Sequence, residues 1–449
     1  MISQKIKNWL KKQKKNHKLK IKVIKLKDID KWKIDNSKIY HKTKKFFKIV
    51  GIKVLTNFNK KNWDQPMIVQ NEVGILGIIK NTKTNKYLLQ SKVEPGNINK
   101  LQLAPTVQAT KSNYSRVHGG KKVLYINYFL KSKKTIPSLQ SEQGFRYLNK
   151  FNSNILLKTS KFIEIKPEFY WFNKNEIKEL IKIRNIINMD TLSVFSSFMT
   201  KVKKDYPINS IRKIYDWVKI NNKKYFMKTK IVDLIKLKDW TYNSTKIEHK
   251  KKKHFSIIGI NASTNKREIK NWSQPIIKGK EMAFAGFIKT KFNNIEHYLC
   301  RYILKPGLMS GVISCTVNTS DINNYSKNHT LNINEKYIMS NTYAIAYNVK
   351  SNSIHTSFGE NVSSKSIEEF LLRESWSPFD IMYSNHYNIP PDRKNLSHPI
   401  PDYLVYIQFQ RADETPWIIK ALDDSQDSKF EKIYQSDQTK TMVFKINNP

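Results

Sequence analysis

Trp32 to Ile52 reads WKIDNSKIYHKTKKFFKIVGI and Trp240 to Ile260 reads WTYNSTKIEHKKKKHFSIIGI, with 11 of the 21 positions identical at a constant shift of 208. The same shift carries Trp9 to Trp217, and a shift of 209 carries Asn62-Trp63-Asp64-Gln65-Pro66 to Asn271-Trp272-Ser273-Gln274-Pro275. Further on, Thr106-Val107-Gln108 meets Thr316-Val317-Asn318, and Asn113-Tyr114-Ser115 meets Asn324-Tyr325-Ser326. A lysine-rich chain inflates identity, so the Trp, His, Gly, Gln and Pro matches carry the inference. The chain is a tandem duplication. Its first unit is expected over residues 1–208 and its second over 209–449, where similarity fades from about residue 330.

Each copy opens on a basic, partly amphipathic helical stretch, followed by an apolar strand-like run and the Trp-x-Gln-Pro element. Gly74 to Lys80 and Tyr87 to Val93 alternate as paired strands, with an Asn/Thr/Lys turn at 81–86. Glu94-Pro95-Gly96-Asn97 is a turn signal. Tyr125 to Leu130 and Ile155 to Glu164 suggest further strands, and Asn175 to Ile187 has helical spacing. The expected class is α+β, a mixed-sheet domain present twice.

The formal charge of +45 would ordinarily suggest a polyanion partner. Only nine of the 81 cationic residues are Arg, however, and the lysines are spread over helix faces and turns. A solvated surface is the expectation, with neither nucleic acid nor membrane as partner. The charge is also uneven: residues 322–449 hold 13 Lys plus Arg against 15 Asp plus Glu. Where Arg survives in such a lysine-saturated chain, a planar bidentate donor is the natural explanation. Apolar runs such as Val73 to Ile79 fall well short of the roughly 20 residues a membrane helix needs. The N-terminal stretch lacks a signal-peptide apolar core, so a cytoplasmic protein is expected. Cys300 and Cys315 form neither a disulfide framework nor a metal spacing.

Dinucleotide fingerprints, phosphate-binding loops, His-Glu-x-x-His and Gly-x-Ser-x-Gly are all missing from the sequence, so no cofactor and no metal are expected. What stands out is a dense polar block in the first copy. It runs through Gln90 to Asn97, Leu101 to Thr110, Asn113-Tyr114-Ser115-Arg116-Val117-His118 and Leu139-Gln140-Ser141-Glu142-Gln143-Gly144-Phe145-Arg146. With Trp63-Asp64-Gln65-Pro66-Met67-Ile68 before it and Asn188-Met189-Asp190 after, this ordered series resembles the NDP-hexose 2,3-dehydratase family. The resemblance implies a duplicated Nudix-like domain, a homodimer, and a dTDP-4-keto-6-deoxyglucose substrate processed in the first copy only. The metal-binding Glu-rich box of Nudix hydrolases is missing, so pyrophosphate hydrolysis is not expected.

Such an elimination needs a base for the C3 proton, an acid for the departing C2 hydroxyl and donors for the enolate oxygen. Glu94, Glu142 and His118 form the pool for acid and base, with Tyr114 as a second candidate acid. Trp63 and Gln65 suit the thymine, and Arg116 and Arg146 the pyrophosphate through paired guanidinium bonds. Lys92, Gln108, Asn113 and Gln140 complete the expected substrate contacts. Bland alternatives stay open. Glu94 could shape its turn, Glu142 could cap or pair with Arg146, His118 could be structural, and Trp63, recurring as Trp272, could be core.

The second copy departs where an elimination would need residues. Glu94-Pro95-Gly96 becomes Lys305-Pro306-Gly307, Gln108 becomes Asn318, Arg116 becomes Lys327, and no counterpart of Gln-Ser-Glu-Gln-Gly is found. That copy is expected to be structural support or dimer surface.

Overall fold

A computed structural model describes residues 2–58, 62–97, 100–117, 119–132, 135–183, 185–198, 209, 211–252, 254–279, 284–292, 295–315 and 317–319, with strands at 347–348, 353–355, 361–362, 404–407, 430–436 and 441–446. His118 lies outside the described residues.

The first repeat begins with α1 (Gln4–Asn16), whose Ser3 cap accepts from the Ile6 amide at 3.5 Å. Ile6, Trp9 and Leu10 share one face of this helix and pack into the core. Strands β1 (Leu19–Ile24), β2 (Trp32–Ile34), β3 (Lys38–His41), β4 (Lys48–Thr56) and β5 (Trp63–Val69) follow. Then come β6 (Gly74–Asn81), β7 (Lys86–Val93), β8 (Leu101–Pro105) and β9 (Val107–Ala109). Short helices α2 (Lys111–Tyr114) and α3 (Ile126–Leu130) lead to β10 (Ser138–Ser141), β11 (Tyr147–Leu148), β12 (Phe151–Thr159) and β13 (Phe169–Asn173), and α4 (Lys174–Ile181) and α5 (Met189–Phe198) close the unit.

The repeat's larger sheet has the order β10-β12-β6-β7-β13, with β8 on β7 and β9 on β6, and only β12 and β6 run parallel. Side chains alternate across it. Leu76, Ile78, Tyr87 and Leu89 meet α1, α4 and α5 on one face, while Ile79, Leu88 and Leu157 meet Ile126 and Phe129 on the other. The expected strand over Tyr125 to Leu130 is therefore α3 instead. Tyr125 takes a left-handed φ of 58°, and the apolar pair one turn apart, Ile126 and Phe129, buries a single helical face. The expected helix over Asn175 to Ile187 is two helices. Asn173 and Glu176 form a capping box for α4, Asn185 breaks the chain at φ 54°, and Asn188 starts α5 by accepting the Thr191 amide at 2.9 Å. Likewise the strand expected over Ile155 to Glu164 runs from Phe151 to Thr159.

The second repeat copies this order with α6 (Ile211–Lys224), β14 (Met227–Val232), β15 (Trp240–Tyr242), β16 (Lys246–His249), β17 (Ser256–Thr264), β18 (Asn271–Lys278), β19 (Phe284–Phe292), β20 (Ile295–Ile303), β21 (Val312–Cys315) and β22 (Val317–Thr319). A small sheet of β23 (Tyr347–Asn348), β24 (Ser353–His355) and β25 (Asn361–Val362) precedes β26 (Leu404–Ile407), β27 (Phe430–Ser436) and β28 (Thr441–Ile446). The divergent tail thus completes the second large sheet. β28 pairs parallel with β19 as β12 does with β6, and β26 pairs antiparallel with β20 as β13 does with β7. Chain order is altered, because the β13-like strand here comes before the hairpin.

The two smaller sheets are built by exchange. β14 of the second repeat lies antiparallel on β4 of the first, and β1 of the first lies antiparallel on β17 of the second. This explains the glycines in the repeated stretch: a Cβ at Gly51 would stand 2.9 Å from the Val232 carbonyl, and one at Gly259 2.9 Å from the Ile24 carbonyl. Beside these strands Leu26, Trp32, Ile39 and Ile49 merge with Leu234, Trp240, Ile247 and Phe255 into one core. The architecture is α+β with a tandem duplication.

Candidate active site

In the first repeat β7 runs into the Glu94 turn, where the Asn97 amide donates to the Glu94 carbonyl at 3.2 Å and Gly96 takes φ 97°. Across from this turn stands the start of α5. Between them lies a cavity of about 250 Å³, lined by Glu94, Asn97, Gln102, Asn188 and Asp190 among others. The sheet supplies the residues around Glu94. Lys92 reaches its carboxylate at 3.5 Å, and the Gln108 amide donates to both oxygens at 3.4 and 3.3 Å. Gln108 is itself oriented by Asn188, whose amide donates to it at 3.0 Å, and Asn188 is held by Thr191. A line of side chains therefore connects the α5 cap to the Glu94 carboxylate.

Glu142 approaches from β10's end, where Asn152 donates to it at 2.7 Å and its own amide donates to the Lys150 carbonyl at 2.9 Å. Lys150 is buried and donates to the carbonyls of Glu72 and Phe151. Burial lowers its ammonium pKa, partly offset by Glu142, Glu72 and Asp190.

The carboxyls are tuned in opposite directions. For Glu94, burial works against the charge, yet Lys92, Arg267 and the Gln108 amide outweigh it and hold the pKa below its usual value. For Asp190, burial first, then repulsion from Glu94 and Glu142, pushes the pKa up to about 7. Tyr147, on β11, is raised by burial and by Glu142, Asp190 and Glu94, so its phenol stays protonated. One site thus holds an ionised carboxylate, a carboxyl poised near neutrality and a protonated phenol.

Of the expected residues Glu94 lines the cavity and the structure brings Lys92 and Gln108 onto its carboxylate, with Glu142 near enough to act on Asp190. Others lie elsewhere. The Trp63 indole donates to Gln65 at 2.9 Å, Gln65 donates to the Phe145 carbonyl at 2.9 Å, and the Trp63 ring packs on the β4–β5 core. Arg146 rests 4.0 Å over the Phe255 ring of the second repeat, and burial lowers its pKa to about 10. Arg116 is exposed and donates to the Gly120 carbonyl at 3.0 Å. Gln140 is exposed and bonded to Ser138, Tyr114 packs on the α3 side of the sheet, and Asn113 sits half-buried on α2. Asp190 ends the Asn188-Met189-Asp190 motif, and nothing in that short run of sequence marks it as an acid. Its position three residues beyond the Ile187 bridge to Leu103, at the mouth of α5, is a tertiary fact.

A duplicated α+β chain with exchanged strands and a carboxylate-lined polar cavity defines a class of protein. The NDP-hexose 2,3-dehydratase family profile matches residues 3–198 and 211–369. The chain belongs to that family. It is 30% identical over 309 residues to a dTDP-4-dehydro-6-deoxy-alpha-D-glucopyranose 2,3-dehydratase of Saccharopolyspora spinosa, covering 62% of this chain and 64% of that one. Proteins of the same name from Amycolatopsis orientalis and Streptomyces violaceoruber are 27% and 29% identical, over 72% and 66% of this chain and 72% and 71% of theirs. The matched span is thus about two thirds of these relatives' length.

Proposed function

We propose that this chain removes water across C2 and C3 of dTDP-4-dehydro-6-deoxyglucose, the substrate in the names of its relatives, and that the first repeat does the chemistry. The observation that carries the assignment of roles is the pair of carboxyls lining one cavity from opposite sides, Glu94 held low and Asp190 pushed to about 7. Carboxyls whose environments drive their pKa values apart divide into base and acid.

The C4 ketone acidifies the C3 proton. Glu94, ionised, takes that proton, and the electron pair delocalises onto the C4 oxygen. The C2–oxygen bond then breaks, and Asp190 supplies the proton with which the hydroxyl leaves as water. The resulting enol takes up at C2 the proton that Glu94 holds and gives up its O3 proton to Asp190, becoming the 3,4-diketone and restoring both carboxyls. Carbon oxidation is only redistributed, so the reaction is redox-neutral. Burial, then repulsion from Glu94 and Glu142, favours the protonated Asp190, and Lys92 and the Gln108 amide fix Glu94 in place.

The same reading takes the units as Nudix-like, the chain as a homodimer and its location as cytoplasmic. No helix among the described residues is long and apolar enough to cross a membrane. Incubation with dTDP-4-dehydro-6-deoxyglucose, coupled to a C3 ketoreductase that traps the unstable diketone, tests the proposal. Unchanged substrate overturns it, and dTDP binding without turnover would make the chain a nucleotide-sugar binding protein.

A further inference from the structure

Arg267 belongs to the turn between β17 and β18 of the second repeat, yet its guanidinium lies 3.9 Å from the Glu94 carboxylate of the first. The turn is fastened to the first repeat. Asn265 donates to the Asn16 carbonyl at 2.8 Å and accepts the Lys18 amide at 2.9 Å, Lys266 pairs with Glu168 at 2.8 Å, and the Lys121 amide donates to the Glu268 carbonyl at 3.0 Å. Arg267 also lies 5.1 Å over the Trp272 ring, which supports the flat guanidinium while leaving its charged edge toward Glu94. The corresponding turn of the first repeat carries Phe58, buried against Tyr225 and Tyr302 at 5.1 and 6.1 Å. The repeats therefore exchange turns as well as strands, one delivering a ring and the other a cation. With nine arginines among 81 cationic residues, an Arg at this one crossing is not what composition alone would place.

We propose that Arg267 is a positioning residue of the first repeat's active site, holding the Glu94 carboxylate in its working place and charged form, so that the site is complete only when both repeats are present. This rests on Glu94 acting as the base. The groups that face Glu94 are Lys92 at the end of β7, the Gln108 amide from β9, Arg267 from the second repeat, Asp190 from α5 and Tyr147 from β11. Lys92 is also tied to the Gln108 carbonyl at 3.3 Å, so removing Arg267 leaves an already shared ammonium as the cation paired with Glu94.

Wild type, Arg267→Gln, Arg267→Lys and Trp272→Leu are compared by the pH profile of kcat/KM and, without substrate, by titration of carboxyl-¹³C glutamate resonances, Glu94 being assigned through Glu94→Gln. Arg267→Gln should displace the acid limb to higher pH and lose roughly two- to fivefold in kcat/KM at its low end, the range open to a partly exposed ion pair. Arg267→Lys should restore most of this, and Trp272→Leu, which removes the guanidinium's support, should shift the limb in the same direction. The Glu94 resonance should titrate at higher pH in Arg267→Gln. If that resonance titrates as in wild type in folded Arg267→Gln, or in Trp272→Leu should Arg267→Gln not fold, the proposal is overturned. A shifted resonance in a protein whose wild type leaves the sugar nucleotide unchanged keeps the Arg267–Glu94 coupling and rejects the dehydratase assignment instead.

Discussion

The Trp32 indole donates to the Ser273 carbonyl across the repeat boundary at 3.0 Å, and its counterpart Trp240 donates to the Asp64 carbonyl at 2.9 Å. Together with the Leu26 amide on Thr245 and the Leu234 amide on Ser37, each at 3.0 Å, these bonds make the boundary two-fold in character. Each repeat supplies what the other accepts. Trp240→Phe removes a buried donor and leaves the Asp64 carbonyl unpaired, costing roughly 1–3 kcal/mol. Because the strands are exchanged, residues 1–58 and 211–279 should unfold together. Denaturant titration followed by Trp fluorescence and by circular dichroism checks this; separate transitions for the two regions would contradict the exchange.

Glu94→Gln and Glu142→Gln test the carboxyls with little change in shape. Each should retain dTDP affinity in calorimetry and lose turnover by on the order of 100-fold or more. Full activity in either strikes that residue from the mechanism.

Asp190 makes a pH prediction for both activity and stability. With its pKa near 7, the protonated acid is lost as pH rises through 7, and kcat should fall there; Asp190→Asn should remove that limb and most of the turnover. The stability sign follows from a folded pKa above the unfolded one. The favourable contribution is complete below about 3.8 and lost as pH rises through about 7. Asp190→Asn should therefore melt a few degrees above wild type at pH 8 and close to it at pH 4. Equal melting temperatures at both pH values would speak against the buried acid.

Gly307 occupies the place of Gly96 in the degenerate copy, and it accepts the Asn149 amide at 2.9 Å while donating to the Gly144 carbonyl at 2.8 Å. A Cβ there would overlap the Tyr147 carbonyl. Gly307→Ala should push the segment carrying Glu142 and Tyr147 away, lowering kcat/KM by about tenfold or more although the change lies in the other repeat. Unaltered kinetics would show that this packing is dispensable.

The same contact bears on stoichiometry. The turn that borders an open cavity in the first repeat is covered in the second by Gly144 to Asn149, and Lys305 stands where Glu94 would. Calorimetric titration should find one dTDP per chain; two equivalent sites would refute this.

From its residues alone the chain declares the duplication, most strands, the Glu94 turn and the ordered motif that marks its family. These are local quantities, set by side-chain periodicity and turn chemistry, and repetition makes them visible twice. Even Gly51 and Gly259 are legible as a glycine kept in both copies, although only the exchanged strands beside them explain it. Where a local pattern is ambiguous it misleads: Tyr125 to Leu130 is aromatic and apolar enough for a strand, and the buried Ile126 and Phe129 face makes it a helix. The site itself was half legible. Lys92 and Glu94 sit at the end of β7 and just beyond it, and β8 and β9 fold back along β7 and β6 to bring Gln108 to them, so nearness in sequence becomes nearness in space. Arg146 shares that block, yet its guanidinium lies over Phe255 of the other repeat. The near-neutral pKa of Asp190 and the presence of Arg267 beside Glu94 depend on burial and on charges brought in from distant segments. Burial and through-space distance are properties of the packed chain, and only the tertiary structure decides them.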